Sequence, residues 1–256
     1  MIKNTFSILN GIGEKLERRL WGDGILKWED FIYAHDINFI SPNKKLFFDE
    51  TLSSALSELE NSNASYFAET VKRREHWRLF EVFKRDAVCL DIETNGFMPD
   101  KGGYVTVVGL YDGFDYRCLV KGNGLNPENL KKEISGYKYL ITFYGAAFDI
   151  PFLLRTMPEI KFDMPHFDIC FSVKRLGFKG GLKALESEIG IERAEAVRGM
   201  NGYDAVKLWE HAKGGSTEAR DLLIFYNRED TVNLFHMAEI IYQRLRAQTG
   251  IEKYLK

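Results

Sequence analysis

The sequence predicts an α/β protein in which a mixed β-sheet is flanked by helices on both faces and preceded by a small helical module. From residue 87 onward, three strand-like runs follow one another, AVCLDIET, YVTVVGLY and FDYRCLVK, and Asp112-Gly113 is suited to a tight hairpin turn between the last two. Helix and strand patterns then alternate as NPENLKKEI, YKYLITFYG, AFDIPFLLRTM and MPHFDIC, and the chain is helical from Ser172 on. The order βββαβαβ followed by helices is typical of a mixed sheet with helices on both faces.

The first 84 residues contain no extended strand pattern. Short helices are predicted there at about 13–20, 28–34, 49–60 and 63–84, with a turn at Ser41-Pro42. We therefore divide the chain near Arg85 into a helical module, 1–84, and an α/β domain, 85–256.

Composition excludes several classes of protein. The 256 residues are 45% hydrophobic and 28% charged, with a net charge of −2, which is typical of a globular protein and not of a disordered chain or a strongly basic nucleic-acid binder. No apolar run reaches the roughly 18 residues of a membrane helix, and the N-terminal stretch is too short for a secretory signal, so we expect a cytoplasmic protein without a membrane partner. Cys89, Cys118 and Cys170 lie apart in apolar runs and are expected to be reduced core residues.

Acidic residues that interrupt apolar patterns are the most informative positions, because carboxylates are seldom buried without a partner. Asp91 and Glu93 are two residues apart at the end of a predicted strand, so both project from one face. Asp149 follows another strand and lies among Phe148, Ile150 and other apolar residues.

The third acidic position is on a helix. Leu223, Leu234 and Met237 mark an apolar stripe with helical spacing, Asp230 falls in its middle, and Tyr226 is one turn earlier. A carboxylate there faces the protein interior. A buried structural ion pair is the alternative interpretation of Asp230.

These acids require positive charge. No lysine or arginine lies on the Asp230 stripe or in the strand with Asp91, so an ion pair would have to come from a distant segment, and bound cations are the simpler counter-charge. A lysine or arginine that filled the gap between the acids would exclude the nuclease interpretation. Four oxygen ligands without histidine or thiolate clusters favour Mg²⁺ or Mn²⁺, and their number matches two ions. This is the chemistry of phosphodiester hydrolysis, in which Tyr226, protonated near neutral pH, positions the attacking water.

The motifs that carry these residues resemble those of the DEDD superfamily of RNase H-like (DnaQ-like) 3′→5′ exonucleases, in the branch with a tyrosine in the third motif, and most of all the YprB-like ribonuclease H-like domain proteins. They are D-I-E-T at 91–94, F-D-I-P-F-L at 148–153 and Y-N-R-E-D at 226–230. The resemblance implies a sheet order of 3-2-1-4-5. It also implies that Asp91 bridges two metal ions, that Glu93 and Asp230 complete one site, that Asp149 supports the other through water, and that Tyr226 orients the nucleophile.

The same resemblance implies contacts with the substrate. Thr94, Asn95 and Phe97 would meet the terminal nucleotide, although Phe97 is equally well explained as a loop hydrophobe. Relatives often carry Y-N-G before the second motif, whereas this chain has Phe143-Tyr144-Gly145, so Tyr144 stands at the usual asparagine position. A structural role is expected for the strand end His166-Phe167-Asp168.

Basic and glycine-containing segments are candidate backbone contacts. Gly11 and Gly13 resemble the hairpin of a helix-hairpin-helix element, with phosphate binding and a purely structural turn as the two interpretations. Two basic groups are either solvated surface or a track for a nucleic-acid strand: Lys72, Arg73, Arg74 and Arg78, and Lys174, Arg175, Lys179 and Lys183. Arg193 and Arg198 are further candidates that no sequence feature distinguishes.

Taken together, the sequence predicts a Mg²⁺- or Mn²⁺-dependent 3′→5′ exonuclease with single-stranded DNA as the favoured substrate and RNA as the near alternative. A structure-specific endonuclease using the same site is a further alternative. The rival from another class is a catalytically idle nucleic-acid-binding scaffold. The sequence leaves protein partners open.

Overall fold

The computed structural model describes residues 1–255 and contains one five-stranded sheet. The strands are β1 (Ala87–Thr94), β2 (Val105–Tyr111), β3 (Tyr116–Val120), β4 (Tyr139–Thr142) and β5 (His166–Asp168). Their order across the sheet is β3-β2-β1-β4-β5. β1 pairs antiparallel with β2 and β2 with β3, whereas β1 is parallel to β4 and β4 to β5. The predicted fold class and strand order are confirmed.

Eleven α-helices complete the part of the chain that the structure describes. In the N-terminal part they are α1 (Glu14–Gly22), α2 (Trp28–Tyr33), α3 (Pro42–Glu60), α4 (Ala64–Thr70) and α5 (Phe80–Phe83). From the sheet onward they are α6 (Pro127–Ile134), α7 (Asp149–Thr156), α8 (Ile169–Arg175), α9 (Leu182–Ile189), α10 (Gly202–Lys213) and α11 (Thr217–Thr249). No helix within residues 1–255 combines the length and the hydropathy needed to cross a membrane.

Two N-terminal helices differ from the prediction. The helix expected at 49–60 begins at Pro42, with Ser41 as N-cap, because proline is well suited to the first helical turn. The helix expected at 63–84 is interrupted after Thr70: Val71 is extended, and a 3₁₀ helix, Arg73–Leu79, separates α4 from α5. The carbonyl group of Val71 is hydrogen-bonded to the buried His76 ring, 2.9 Å away.

The β2–β3 connection also differs from the prediction. Tyr111 pairs with Tyr116, so the loop has four residues and is longer than a two-residue tight turn. The Asp112 carboxylate accepts hydrogen bonds from the backbone N–H groups of Phe114 and Asp115, at 3.0 and 2.9 Å. This side chain–backbone pattern stabilises the wider loop.

The N-terminal helices share a hydrophobic core with the sheet. The buried Phe80 ring lies 5.9 Å from the Phe167 ring of β5 and 5.4 Å from the Tyr242 ring of α11, measured between centroids. Trp77 and Phe83 belong to the same cluster. Residues 1–84 are therefore packed onto the sheet and α11, and the division near Arg85 stays a prediction.

Candidate active site

Three carboxylates from two distant segments meet at the end of β1. Asp91 and Glu93 project from the same face of β1, and Asp230 comes from the middle of α11. One ligand oxygen from each of the three lies within 4.8 Å of the others. Glu93 and Asp230 are buried and Asp91 is half-buried. The expected convergence of these three acids is thus present in the structure.

A glycine allows α11 to approach the sheet closely at this point. Gly109 of β2 lies opposite Asp91 in the antiparallel register. A Cβ atom at position 109 would lie 2.0 Å from Asn227 Oδ1 and 2.5 Å from Thr231 Oγ1. Only a residue without a side chain therefore allows α11 to rest here, which brings Asp230 to the end of β1.

Asn227 connects α11 directly to Asp91. Its Nδ2 donates a hydrogen bond to Asp91 Oδ2 at 2.8 Å, while its Oδ1 accepts one from the Tyr116 hydroxyl at 2.9 Å. The phenol donor fixes the orientation of the amide, because only Oδ1 can accept its proton. The fully buried Asn227 thereby holds one carboxylate oxygen of Asp91 in place.

Asp149 lies beside this cluster. It is the first residue of α7, and its Oδ1 accepts a hydrogen bond from the backbone N–H of Ile92 at 3.1 Å. It is not among the three acids whose ligand oxygens converge within 4.8 Å. Burial raises the pKa of Asp149 to about 7, and its negative charge in turn raises the pKa of Asp91. The structure thus brings the fourth predicted acid to the edge of the site.

The electrostatics of the site favour bound cations. Burial, and secondly the negative charge of neighbouring carboxylates, raise the pKa values of Asp91 and Glu93 well above the ordinary range. Burial likewise raises the pKa of Asp230. Burial and the same carboxylates raise the pKa of Tyr226, so its phenol stays protonated. Nearby positive charge would stabilise the ionised acids.

Arg193 supplies part of that charge, contrary to the simplest expectation. Its Nη2 forms an ion pair with Asp230 Oδ1, so the expectation that bound cations are the simpler counter-charge is wrong in part for Asp230, and the alternative of a buried ion pair is present there. Arg193 is buried and reaches the site from the segment between α9 and α10. Nothing in its sequence context indicated this contact, because it depends on how that segment folds back.

Arg193 does not neutralise the acidic cluster, however, because it also pairs with the buried Glu186. Its Nε and Nη2 lie 2.6 and 2.8 Å from the two Glu186 carboxylate oxygens, in a bidentate ion pair. One guanidinium therefore serves two carboxylates. Among residues 1–255, Arg193 pairs with Glu186 and Asp230, and neither Asp91 nor Glu93 has an ion-pair partner. The cluster therefore retains an excess of negative charge.

Lys183 is placed next to the predicted tyrosine. Its Nζ donates a hydrogen bond to the Tyr226 hydroxyl oxygen at 2.9 Å and lies 4.8 Å from the centre of the Tyr226 ring. Burial lowers the pKa of Lys183. Because the lysine occupies the phenol oxygen, the Tyr226 proton is left free to be donated elsewhere.

The predicted nucleotide contacts fall in several environments. Thr94 ends β1 and Phe97 is exposed in the loop that follows. Asn95 is buried, and its side chain holds that loop through the Gly102 carbonyl (3.2 Å) and the Tyr104 N–H (2.9 Å). Tyr144 is exposed beyond the end of β4. The placement of these residues next to a nucleotide stays a prediction.

The remaining predicted contacts lie farther along the chain. Lys179 is exposed between α8 and α9. Gly11 has a positive φ of 87°, and Gly13 is the N-cap of α1. The first turn of α1 contains Glu14 and Glu17, which disfavour a bound phosphate. Phosphate binding by this turn stays a prediction.

The two predicted basic groups are corrected by the structure. Arg78 is buried between Glu17 and Glu75, at 3.0 and 2.7 Å, and so is not part of a surface face. Arg175 forms ion pairs with Glu14 and Glu75. Lys183 faces Tyr226. Charge patterning cannot distinguish exposed cations from those that fold against distant acids.

Sequence reasoning missed Asn227, Gly109 and Glu186. Asn227 carried a usable signal, because it lies three residues before Asp230 and so shares its buried helix face. Gly109 in an apolar strand was also a sign of close backbone approach. Glu186 gave no such signal.

The residues present fit divalent ions. All the donors in the cluster are carboxylate oxygens, the ligands that Mg²⁺ and Mn²⁺ prefer. Asp91, Glu93 and Asp230 are the side chains that would hold such ions.

A mixed sheet in this order, with acids at the end of its central strand and on its last long helix, defines a nuclease-type RNase H-like α/β protein. Comparison with family models agrees: the model of the RNase H superfamily matches residues 88–242, which is more than half of the chain. The protein belongs to the RNase H superfamily, which indicates a nucleic-acid-processing hydrolase. None of the curated proteins matches the chain.

Proposed function

We propose that the protein is a Mg²⁺- or Mn²⁺-dependent 3′→5′ exonuclease, with single-stranded DNA as its preferred substrate. The observation that carries this proposal is the convergence of Asp91, Glu93 and Asp230, with Tyr226 one helical turn before Asp230. When bound, divalent ions supply an activated water and stabilise the departing oxygen of a phosphodiester.

The protein's own side chains prepare the site for that chemistry. Asn227 fixes Asp91, and the β1 backbone N–H of Ile92 fixes Asp149. Asp91 and Asp149 are therefore in place before substrate arrives, and a preorganised site avoids the cost of rearranging charged groups during the reaction.

Tyr226 has a defined hydrogen-bonding role in this proposal. Its raised pKa keeps the phenol neutral, so it acts as a hydrogen-bond donor and not as a base. Lys183 donates a hydrogen bond to the phenol oxygen, so the hydroxyl proton of Tyr226 points away from the lysine. The hydroxyl group then orients the attacking water or a phosphate oxygen.

The proposal is tested with 5′-labelled single- and double-stranded DNA and RNA, incubated with Mg²⁺, Mn²⁺ or EDTA. A 3′→5′ exonuclease gives a ladder of shortened labelled products that requires metal and disappears in Asp91→Ala. A variant of an exposed carboxylate outside the site, Asp163→Ala, serves as the matched control and retains activity.

The products also separate the alternatives. A ladder from RNA alone would identify an exoribonuclease, and discrete internal cuts would identify an endonuclease. Binding without any cleavage would support the idle scaffold. Cleavage that persists in EDTA or in Asp91→Ala would refute the proposed mechanism.

A further inference from the structure

Two exposed aromatic rings stack on each other at the end of the sheet where the acids lie. The ring centroids of Tyr144 and Phe171 are 5.8 Å apart and their planes are inclined by 29°. Tyr144 follows β4, and Phe171 lies in α8 directly after β5. Because β1, β4 and β5 run parallel, both rings lie at the end of the sheet where β1 carries Asp91 and Glu93.

The backbone at Tyr144 is in an unfavourable conformation. Its φ of +66° lies in the left-handed region, which costs a tyrosine roughly 1–2 kcal/mol and suits glycine or asparagine better. The next residue, Gly145, is also constrained, because a Cβ atom there would lie 2.4 Å from Thr142 Oγ1. Strain of this kind persists only where the surrounding structure enforces it, and it is concentrated at functional sites.

One buried carboxylate, that of Asp168, holds the backbone at both Tyr144 and Phe171. The Asp168 carboxylate accepts hydrogen bonds from the backbone N–H groups of Tyr144, at 3.0 Å, and Ala146, at 2.9 Å. It also accepts hydrogen bonds from the backbone N–H groups of Cys170, at 3.0 Å, and Phe171, at 3.4 Å. Asp168 thus fixes the two chain segments that present the rings.

Positive charge accompanies the rings. Lys174 Nζ lies 5.0 Å from the Phe171 centroid and 5.7 Å from the Tyr144 centroid. A cavity of about 530 Å³ adjoins Phe171, and its lining includes the exposed Arg73. The combination of flat apolar faces and cations matches a nucleobase and the phosphodiesters that flank it.

We propose that the Tyr144–Phe171 pair is a stacking platform for one base of the substrate strand, next to the acidic centre. This inference rests on the proposed function, because it assigns part of the same substrate. Nearly half of each side chain is exposed, 46% for Tyr144 and 45% for Phe171, so a base has access to the pair. Lys174 and Arg73 bind the strand on either side of that base.

The platform is tested by the fluorescence anisotropy of a labelled oligothymidylate in EDTA, where hydrolysis does not interfere. Tyr144→Asn removes the ring and installs a residue that tolerates positive φ, so the fold is retained. Loss of one stacked base is worth about 1–3 kcal/mol, so we expect Kd to rise at least about fivefold in Tyr144→Asn and in Phe171→Ala. Tyr144→Phe retains wild-type affinity.

The control is Phe114→Ala. Phe114 is more exposed than Tyr144 and Phe171, and it lies in the β2–β3 loop at the opposite end of the sheet from the acids. It leaves Kd unchanged. A second measurement identifies which base of the strand stacks on the platform. Oligonucleotides that each carry a single abasic site at a different position are compared, and only the one that lacks the stacked base loses affinity for the wild-type protein. Tyr144→Asn is insensitive to the abasic site at that position.

The outcomes distinguish the inference from the function it rests on. Unchanged Kd in folded Tyr144→Asn and Phe171→Ala, in a protein that still degrades DNA, would overturn the platform alone. Unchanged Kd together with a lower melting temperature would mean that the pair is structural. A wild-type protein that neither binds nor cleaves DNA or RNA would overturn both proposals. Binding that depends on the platform, without cleavage under any metal condition, would retain the platform and refute the nuclease.

Discussion

Asn227 donates a hydrogen bond to Asp91 across 2.8 Å, joining the long C-terminal helix to the central strand at the acidic centre. The amide is held on its other side by Tyr116 of β3, so two strands and one helix determine where the Asp91 carboxylate points. The position of the metal-ligand candidate Asp91 therefore depends on a residue that is not itself acidic.

We expect Asn227→Ala to weaken metal binding. Loss of a hydrogen bond that orients a ligand typically costs about 10- to 100-fold in metal affinity or activity. The measurement is the Mn²⁺ concentration that produces half of the rise in melting temperature, and we expect it to increase about tenfold or more.

Tyr116→Phe is expected to weaken metal binding less than Asn227→Ala does. It retains Asn227 but removes the donor that fixes the amide, so a smaller effect in the same direction is expected. An unchanged Mn²⁺ midpoint in Asn227→Ala would show that the amide does not position Asp91.

Gly109→Ala is expected to destabilise the protein. The added Cβ would lie 2.0 Å from Asn227 Oδ1, which forces α11 away from the sheet. Overpacking of this kind costs about 1–3 kcal/mol in the free energy of unfolding, measured by urea denaturation.

Gly136→Ala is the matched control, because an added Cβ there meets no atom within 4 Å. Its free energy of unfolding should stay close to that of the wild-type protein. Equal stability of the two variants would contradict the close approach of α11.

Arg193→Gln is expected to have two opposing effects. Removal of one partner from a buried ion pair leaves Glu186 and Asp230 uncompensated and costs on the order of 3–5 kcal/mol of stability. Removal of the positive charge beside Asp230 should also increase affinity for Mn²⁺, because the cation no longer competes with Arg193 for that carboxylate.

Both effects of Arg193→Gln are read from thermal unfolding with and without Mn²⁺. Arg155→Gln is the control, because Arg155 is exposed at the end of α7 and forms no ion pair among the residues that the structure describes. Should Arg193→Gln bind Mn²⁺ more weakly than the wild-type protein, Arg193 would be an orienting residue for Asp230 and not a competitor of the metal.

Asp149 contributes to the pH dependence of stability, together with the other acids of the site, whose pKa values burial also raises. The pKa of Asp149 is raised from 3.8 to about 7 by burial, so the folded state binds a proton that the unfolded state releases. In metal-free buffer this carboxyl therefore contributes a loss of stability as pH rises from about 4 to about 7. At roughly 1.4 kcal/mol per pKa unit, the loss amounts to a few kcal/mol.

Asp149→Asn should remove the contribution of this carboxyl to the pH dependence. We expect the variant to be more stable than the wild-type protein at pH 8 in EDTA, with a smaller difference at pH 5. Asp163→Asn, at an exposed position, should follow the wild-type curve. Parallel curves for Asp149→Asn and the wild-type protein would mean that Asp149 does not titrate in this range.

The sequence alone determined the strand order, through its resemblance to the DEDD exonucleases, and the acids that meet at the site. Asp91 and Glu93 follow from strand alternation, and Asp230 from its place on an apolar helix stripe. Such local periodicities are properties of the chain itself. They define which face a side chain occupies before any long-range contact forms.

Only the tertiary structure decided what surrounds those acids. Arg193 reaches Asp230 from a separate segment, Arg78 is buried between two glutamates, and Gly109 admits α11 to the sheet. Each of these depends on residues far apart in sequence that approach within a few ångströms. Charge pairing and close packing act through distance in space, which no periodicity along the chain encodes.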